Sequence, residues 1–370
     1  MKYVDEFRDG RKAKGLAAAI ARDADASRHY RLMEFCGGHT HAIFRYGVQD
    51  LMPDNVQFVH GPGCPVCVLP IARIDEAMQL AQRRNVILCT YGDMMRVPAG
   101  KGRSLLTARA GGADIRMIYS TQDALNIARQ NPAKEVVFFA IGFETTTPAT
   151  AVAIKQAAAQ GIENFSVFCN HVLTPPAMRA ILETPGNIDA FLGPSHVSTI
   201  IGTQPYEPFV REYGKPVVIA GFEPLDVLQS VLMAIRQLND GRCEVENEYT
   251  RAVTAEGNRK AQVLMTQVFE LRDAFEWRGL GAIPHSALQI KAAYERYDAE
   301  RRFDVIPRAL ADVNGCECAD VLSGRKRPPD CKLFASVCTP DNPLGACMVS
   351  SEGACAAWWR YGRFRGGDAA

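Results

Sequence analysis

The sequence predicts an α/β protein with two similar parallel-sheet domains and a C-terminal domain that is first helical, then irregular and rich in cysteine. Three observations carry this. Short β-branched and apolar runs alternate with longer helical patterns over much of the chain, as expected for strand–helix units on parallel sheets. From about Pro224 helical patterns take over. Six of the twelve cysteines then fall between Cys316 and Cys355, in a Gly- and Pro-rich stretch without periodicity.

Taken in order, the charged segment 1–30 reads as an N-terminal helical segment. Strands are expected at Arg31–Phe35, Val56–Val59, Val86–Thr90 and Ile115–Tyr119, which places a first α/β domain over 31–130. Within it Ile71, Ile74, Met78 and Ala81 share one face of a helix over Ile71–Gln82, with Pro70 suited to its first position. Ser120, with Asp123 three residues on, starts the next helix as a capping-box-like pair. A second set of strands, Val136–Ile141, Ser166–Asn170, Ala190–Leu192 and Val217–Ala220, gives a second domain over 131–240. A faint repeat, Gly142-Phe143-Glu144 and Gly221-Phe222-Glu223, follows an apolar strand in each case. Helices are expected over Leu225–Leu238, Tyr249–Trp277 and Ser286–Phe303. The domain over 241–370 ends in the cysteine-rich tail, held by ligation rather than by an apolar core.

Composition narrows the function classes. A chain of 370 residues with 47% hydrophobic and 22% charged residues is an ordinary globular protein of two or three domains. Its 42 basic and 41 acidic side chains leave a net charge of +1, which advertises no nucleic-acid or membrane partner. The N-terminus lacks the apolar stretch of a signal peptide, and Val136–Phe143 is too short to span a bilayer. A cytoplasmic location follows as the expectation. In a reducing cytosol the cysteine cluster points to metal binding or redox chemistry rather than to a disulfide framework.

Three motifs carry chemistry. Cys36-Gly37-Gly38-His39-Thr40-His41 lies between a strand and a helix, at the carboxyl end of a parallel strand where ligands collect. Its two glycines permit close backbone approach, and a thiol with two imidazoles suits iron, zinc or copper. The bland alternative is a buried thiol beside capping residues. His60-Gly61-Pro62-Gly63-Cys64-Pro65-Val66-Cys67 sets a Cys-x-x-Cys at a helix start, where free N–H groups stabilise a thiolate. Such a pair cycles between dithiol and disulfide or chelates a metal. Glu144, in the run to Pro148, and His196, after Gly193-Pro194-Ser195, follow strands of the second set; helix capping by Thr and Ser accounts for most of their neighbours.

The tail supplies the third motif. Cys331, Cys338, Cys347 and Cys355 are separated by six, eight and seven residues. Four spaced thiolates in an irregular segment fit a [4Fe–4S] cluster, with zinc as the rival metal. Cys316 and Cys318, one residue apart, are awkward joint ligands and suit a redox pair. Arg325, Lys326 and Arg327 either offset cluster charge or are simply solvated. Cys89, Cys169 and Cys243 read as core or surface thiols. No P-loop, Gly-x-Gly-x-x-Gly, Gly-x-Ser-x-Gly or His-Glu-x-x-His is present, so nucleotide binding and the common hydrolase classes lack motif support.

The ordered set CGGHTH (Cys36–His41), GPGCPVC (Gly61–Cys67), GFETTTP (Gly142–Pro148), GPSHVSTIIG (Gly193–Gly202) and CMVSSEGAC (Cys347–Cys355) resembles the HypD family of hydrogenase maturation factors over nearly the whole chain. The resemblance implies a scaffold that, with the small chaperone HypC and with HypE as cyanide donor, assembles the Fe(CN)2CO unit of [NiFe]-hydrogenases. It implies a [4Fe–4S] cluster in the C-terminal domain beneath two α/β domains. By motif, Cys36 would ligate the iron under construction, flanked by His39 and His41. Cys64 and Cys67 would be a redox pair or further iron ligands, and Cys331, Cys338, Cys347 and Cys355 would hold the cluster. Such a protein is a redox-capable assembly scaffold rather than a conventional turnover enzyme. The competing reading is a stand-alone thiol–disulfide oxidoreductase of the ferredoxin–thioredoxin reductase type.

Overall fold

A computed structural model describes residues 4–184, 186–305 and 315–362. Its core is two parallel sheets. The strands are β1 (Tyr30–Glu34), β2 (Val56–His60), β3 (Val86–Thr90), β4 (Ile115–Met117), β5 (Glu135–Gly142), β6 (Phe165–His171), β7 (Ala190–Pro194), β8 (Val217–Ala220) and β9 (Val245–Asn247). Every expected strand is present, with ends shifted by a residue or two.

Their pairing is not sequential. One sheet runs β2-β1-β7-β8-β9 and the other β4-β3-β5-β6. The chain leaves the first sheet after β2, builds the whole second sheet, and returns at β7. The strands of 31–130 and those of 131–240 are therefore each shared between the two sheets. β1 is buried apart from Arg31 and lies inside its sheet, with β2 on one edge and β7, buried throughout, on the other through Leu32↔Ala190 and Glu34↔Leu192. Local periodicity marks a strand as buried without naming the strand beside it.

One apolar core runs between the sheets, taking Met33, Phe191 and Ile219 from the first and Leu88, Phe139 and Phe168 from the second. Separate cores cover the outer faces. Helices Gly10–Asp23 and Pro224–Asp240 pack on the first sheet, and Thr121–Gln130 with Thr147–Ala159 pack on the second. The helix Ile71–Ala81 buries its apolar stripe as expected, with Pro70 one position earlier, as N-cap. Ser120 and Asp123 form the expected capping box.

Beyond the helix Pro224–Asp240 the expected long helices are largely absent. Asn258 caps a helix over Arg259–Val268, and strands follow: Phe269–Leu271 pairs with Leu288–Ile290, and Ala274–Trp277 with Gly281–Pro284. Ala274 and Glu276 are exposed while Phe275 and Trp277 are buried, a period of two, and Gly279, Gly281 and Pro284 bar a helix. The tail is irregular as expected, with short turns of helix at Cys318–Leu322 and Ala354–Ala357. Among the described residues, no helix is long and apolar enough to cross a membrane.

Candidate functional site

The carboxyl ends of strands from both sheets open into one cleft of about 500 Å³, lined among others by Cys36, Gly63, Asp93, Thr145, Thr174, His196 and Glu352. Cys36 is the N-cap of the helix Gly37–Tyr46, and Cys64 the N-cap of the short helix Pro65–Val68. The two loops interlock. The Gly37 N–H donates to the Gly63 carbonyl at 3.2 Å, and a Cβ on Gly63 would lie 2.4 Å from Cys36 Cα. A Cβ on Gly37 would lie 2.4 Å from Glu352 Cβ, and one on Gly38 2.6 Å from the Phe222 ring. The glycines of both motifs thus buy contact between loops, and the tail closes over Cys36.

The Cys36 thiol is buried, and this, with the carboxylates of Glu352 and Glu34, raises its pKa well above the ordinary value. N–H groups of Gly38 and His39 aimed at the sulfur oppose the rise without reversing it. Cys36 is therefore a protonated thiol, and any metal it ligates displaces that proton.

Sequence reasoning missed the residue that organises this loop. Glu34 is fully buried at the end of β1 and accepts from the Cys36 N–H at 2.9 Å, from His60 Nδ1 at 2.8 Å and from the Thr40 hydroxyl. Glu34 and His60 are register partners across β1 and β2. The available signal was a carboxylate and an imidazole, each just ahead of a cysteine motif on an apolar strand.

The histidines divide. His39 is buried, its Nε2 2.9 Å from the Ala220 carbonyl oxygen, and burial lowers its pKa. Phe222 lies between His39 and His196, with ring centroids 4.9 and 4.1 Å away. His41 turns toward the tail, with Nδ1 3.4 Å from the Ser351 carbonyl oxygen and its ring edge-on to Tyr361. Glu144 is buried, and its carboxylate accepts the Thr174 N–H at 2.9 Å and the Thr174 hydroxyl at 3.0 Å, so it caps the helix Thr174–Glu183. Burial pushes its pKa up to about 7.

The tail thiols gather beneath the Cys-x-x-Cys. Cys67 is in hydrogen-bonding contact with Cys64 and Cys347, and Cys347 also with Cys318 and Cys355. Three neighbouring thiols donating to Cys347 hold its pKa well below the usual thiol range, while burial and the same contacts push Cys67 and Cys355 up. Cys316 contacts Cys318, and Gly345 is pinned by both, since a Cβ there would lie 2.4 Å from the Cys318 sulfur and 2.6 Å from that of Cys316. The Cys338 sulfur accepts the Leu344 N–H at 3.4 Å. Cys331 stands apart, bonded to Glu317. Of the four cysteines expected to act together, Cys347 and Cys355 touch and Cys331 does not join them. Among the described residues, no group of three or more His, Cys, Asp or Glu side chains is closed in metal-binding geometry. Arg325 pairs with Asp320, Lys326 with Glu317 and Arg327 with Asp330, so the basic run serves surface ion pairs.

The Cys36 cleft thus adjoins the loop of the Cys64–Cys67 pair, and that pair in turn contacts the tail thiol Cys347. The sequence matches the family HypD, described as "Hydrogenase formation hypA family", over residues 11–362. The hydrogenase expression/formation protein HupD of Azotobacter chroococcum mcd 1 is 66% identical over 99% of this chain and 98% of its own length. Hydrogenase maturation factors HypD of Azotobacter vinelandii and Escherichia coli K12 are 64% and 48% identical, over 99% and 98% of this chain and 98% of their own lengths. The chain belongs to the HypD family of hydrogenase maturation factors.

Proposed function

We propose that this protein is the redox-capable scaffold on which the Fe(CN)2CO unit of [NiFe]-hydrogenase is assembled, in complex with HypC and with cyanide delivered by HypE. The supporting observation is the unbroken contact from the Cys36 loop through Gly63 to the Cys64–Cys67 pair, and from Cys67 to Cys347. Iron is the cargo, and Cys36 is its proposed thiolate ligand, losing its proton as the metal binds. Glu34 fixes the backbone at Cys36, and Glu352 and Asp93 present carboxylates to the same cleft.

The electron path we propose along these sulfur contacts is a thiol–disulfide exchange. The Cys347 thiolate attacks Cys67 of a Cys64–Cys67 disulfide, forming a Cys67–Cys347 bond and releasing the Cys64 thiolate. The Cys318 thiolate then attacks Cys347, releasing the Cys67 thiolate and leaving a Cys318–Cys347 disulfide. Two electrons thereby pass to the Cys-x-x-Cys next to Cys36. If Cys318 and Cys347 act as this pair, four tail thiols remain: Cys316, Cys331, Cys338 and Cys355. Cys316 and Cys355 both contact Cys318, and Cys338 lies near Cys316 and Cys318, whereas Cys331 would have to leave Glu317 to join them; so gathered, four soft donors would suit a [4Fe–4S] cluster. We therefore propose these four as its ligands, in place of a set that includes Cys347. The cluster would supply single electrons.

The test is Cys36→Ala, expected to abolish hydrogenase maturation while the anaerobically purified protein keeps iron and acid-labile sulfide. Zinc without sulfide would refute the cluster, and maturation without Cys36 would refute the scaffold. The contact of Cys67 with Cys347 also favours the stand-alone oxidoreductase reading. Catalytic reduction of a disulfide substrate without HypC would support that alternative.

A further inference from the structure

The triplet Gly221-Phe222-Glu223, the second half of the faint repeat, joins β8 to the helix Pro224–Asp240, and two carboxylates hold it at its two ends. Glu248 accepts the Gly221 N–H at 3.1 Å, and Asp226 accepts the Glu223 N–H at 3.2 Å. Gly221 has no room for a side chain, because a Cβ there would run into the Asp226 carboxylate and the Tyr249 ring. Between these two bonds, Phe222 inserts between His39 and His196 and lies on Gly38, two residues after Cys36.

Helix capping explains the bond from the Glu223 N–H to Asp226, but not the second carboxyl group beside it. Asp226 is fully buried. Its Oδ2 takes the Glu223 N–H and the Arg251 guanidinium, which is itself held between the Phe7 and Tyr249 rings at 4.0 and 4.2 Å. Its Oδ1 meets no donor among the described residues, yet the Glu248 carboxyl is in hydrogen-bonding contact with Asp226. Two carboxylates in such contact repel unless one carries a proton, and a protonated Glu248 supplies the missing donor. Burial and the Asp226 charge push the Glu248 pKa up to about 8, against the opposing Gly221 N–H and Arg251. The other charged or titratable groups around the pair are His39, Tyr249, and Glu6 and Lys12 of the N-terminal segment, while Arg8 pairs with Glu223.

We propose that Asp226 and Glu248 hold one proton between them and act as a clamp on Gly221-Phe222-Glu223, fixing Phe222 and, through it, the His39 and His196 rings beside the Cys36 loop. Loss of the proton leaves two adjacent negative charges against the single Arg251, the contact between the carboxyl groups breaks, and the Phe222 loop loosens. Both residues are positioning residues that act through Phe222. Their part in maturation rests on the reading of the Cys36 cleft as the assembly site, whereas the clamp itself does not.

The experiment is a pH titration by NMR of the full-length protein carrying carbon-13 at histidine Cε1, because the His196 signal lies in the ring current of Phe222. Burial and His39 lower the His196 pKa below its ordinary 6.5, so this ring has finished titrating well before pH 8. In the wild type its signal should step near pH 8, with Glu248. Glu248→Gln, whose carbonyl still accepts the Gly221 N–H while its amide donates to Asp226, should keep the low-pH position throughout. Glu248→Ala should show the high-pH position throughout. The absence of a step in the wild type, or the same step in Glu248→Gln, overturns the clamp. In hydrogenase maturation, Glu248→Ala should lose about 10–100-fold and Glu248→Gln should restore it. Equal maturation by all three proteins overturns the positioning role and leaves the scaffold reading intact. A wild type that supports no maturation overturns the scaffold reading, and the His196 signal still decides the clamp. Should Glu248→Ala fail to fold, the wild type and Glu248→Gln decide the clamp, and Phe222→Leu takes its place in the maturation assay.

Discussion

Replacing Glu144 with glutamine isolates the energetics of a buried carboxyl at the cleft. Its pKa rises from 4.5 to about 7, and burial is the main cause. The folded chain then holds a proton between these values that the unfolded chain has released. The stability this group contributes is fully present below pH 4.5 and is lost as pH rises through 7. The slope is about 1.4 kcal/mol per pH, and the total about 3 kcal/mol. Glutamine cannot ionise, yet its carbonyl still accepts the Thr174 N–H while its amide faces the Thr174 hydroxyl, which can accept. The assay is urea unfolding of both proteins from pH 4.5 to 8.5. Every other group cancels in the difference, which should move about 3 kcal/mol in favour of Glu144→Gln across that range. A difference that is flat with pH would refute the burial argument.

Three further outcomes follow from the site geometry. Glu34→Ala leaves the buried Cys36 N–H, Thr40 hydroxyl and His60 without their acceptor and should cost about 3–5 kcal/mol of unfolding free energy, against roughly 1–2 for Glu34→Gln; equal losses would show that the carboxylate is incidental. Gly63→Ala puts a methyl into the Cys36 backbone and should destabilise by about 1–3 kcal/mol, and it should speed alkylation of Cys36 as the loops part; unchanged alkylation would contradict the interlock. In Cys318→Ser, where the exchange stops at its intermediate, mild oxidation should yield a Cys67–Cys347 disulfide by peptide mass spectrometry, and its absence under conditions that oxidise Cys64 and Cys67 would break the proposed exchange.

Much of the fold was legible because its strands are short, apolar and buried on both faces, so composition alone marks them. Their order was not, because β1 meets β7 across nearly 160 residues of intervening chain, and nothing local to either strand names its partner. The Cys36 and Cys64 loops were legible through their glycines, whose missing side chains the structure explains atom by atom. Glu34 and His60 were passed over because a carboxylate in a strand reads as an exposed alternate position, and only the register across β1 and β2 brings them together. The choice among tail cysteines rested on spacing, which says nothing about folding back: Cys318 reaches Cys347 and Cys355, while Cys331 faces Glu317. The hairpin Ala274–Trp277 and Gly281–Pro284 was not legible, since a helix was expected over Tyr249–Trp277.

The central claim is that Cys36 holds the iron on which diatomic ligands are mounted. Infrared spectroscopy of the protein copurified with its small partner tests it directly, because iron-bound cyanide and carbon monoxide absorb where protein does not. The account predicts these bands in the wild-type complex and their loss in Cys36→Ala, with the iron and sulfide of the tail retained. Bands that persist without Cys36, or that never form in the wild-type complex under maturation conditions, would contradict it.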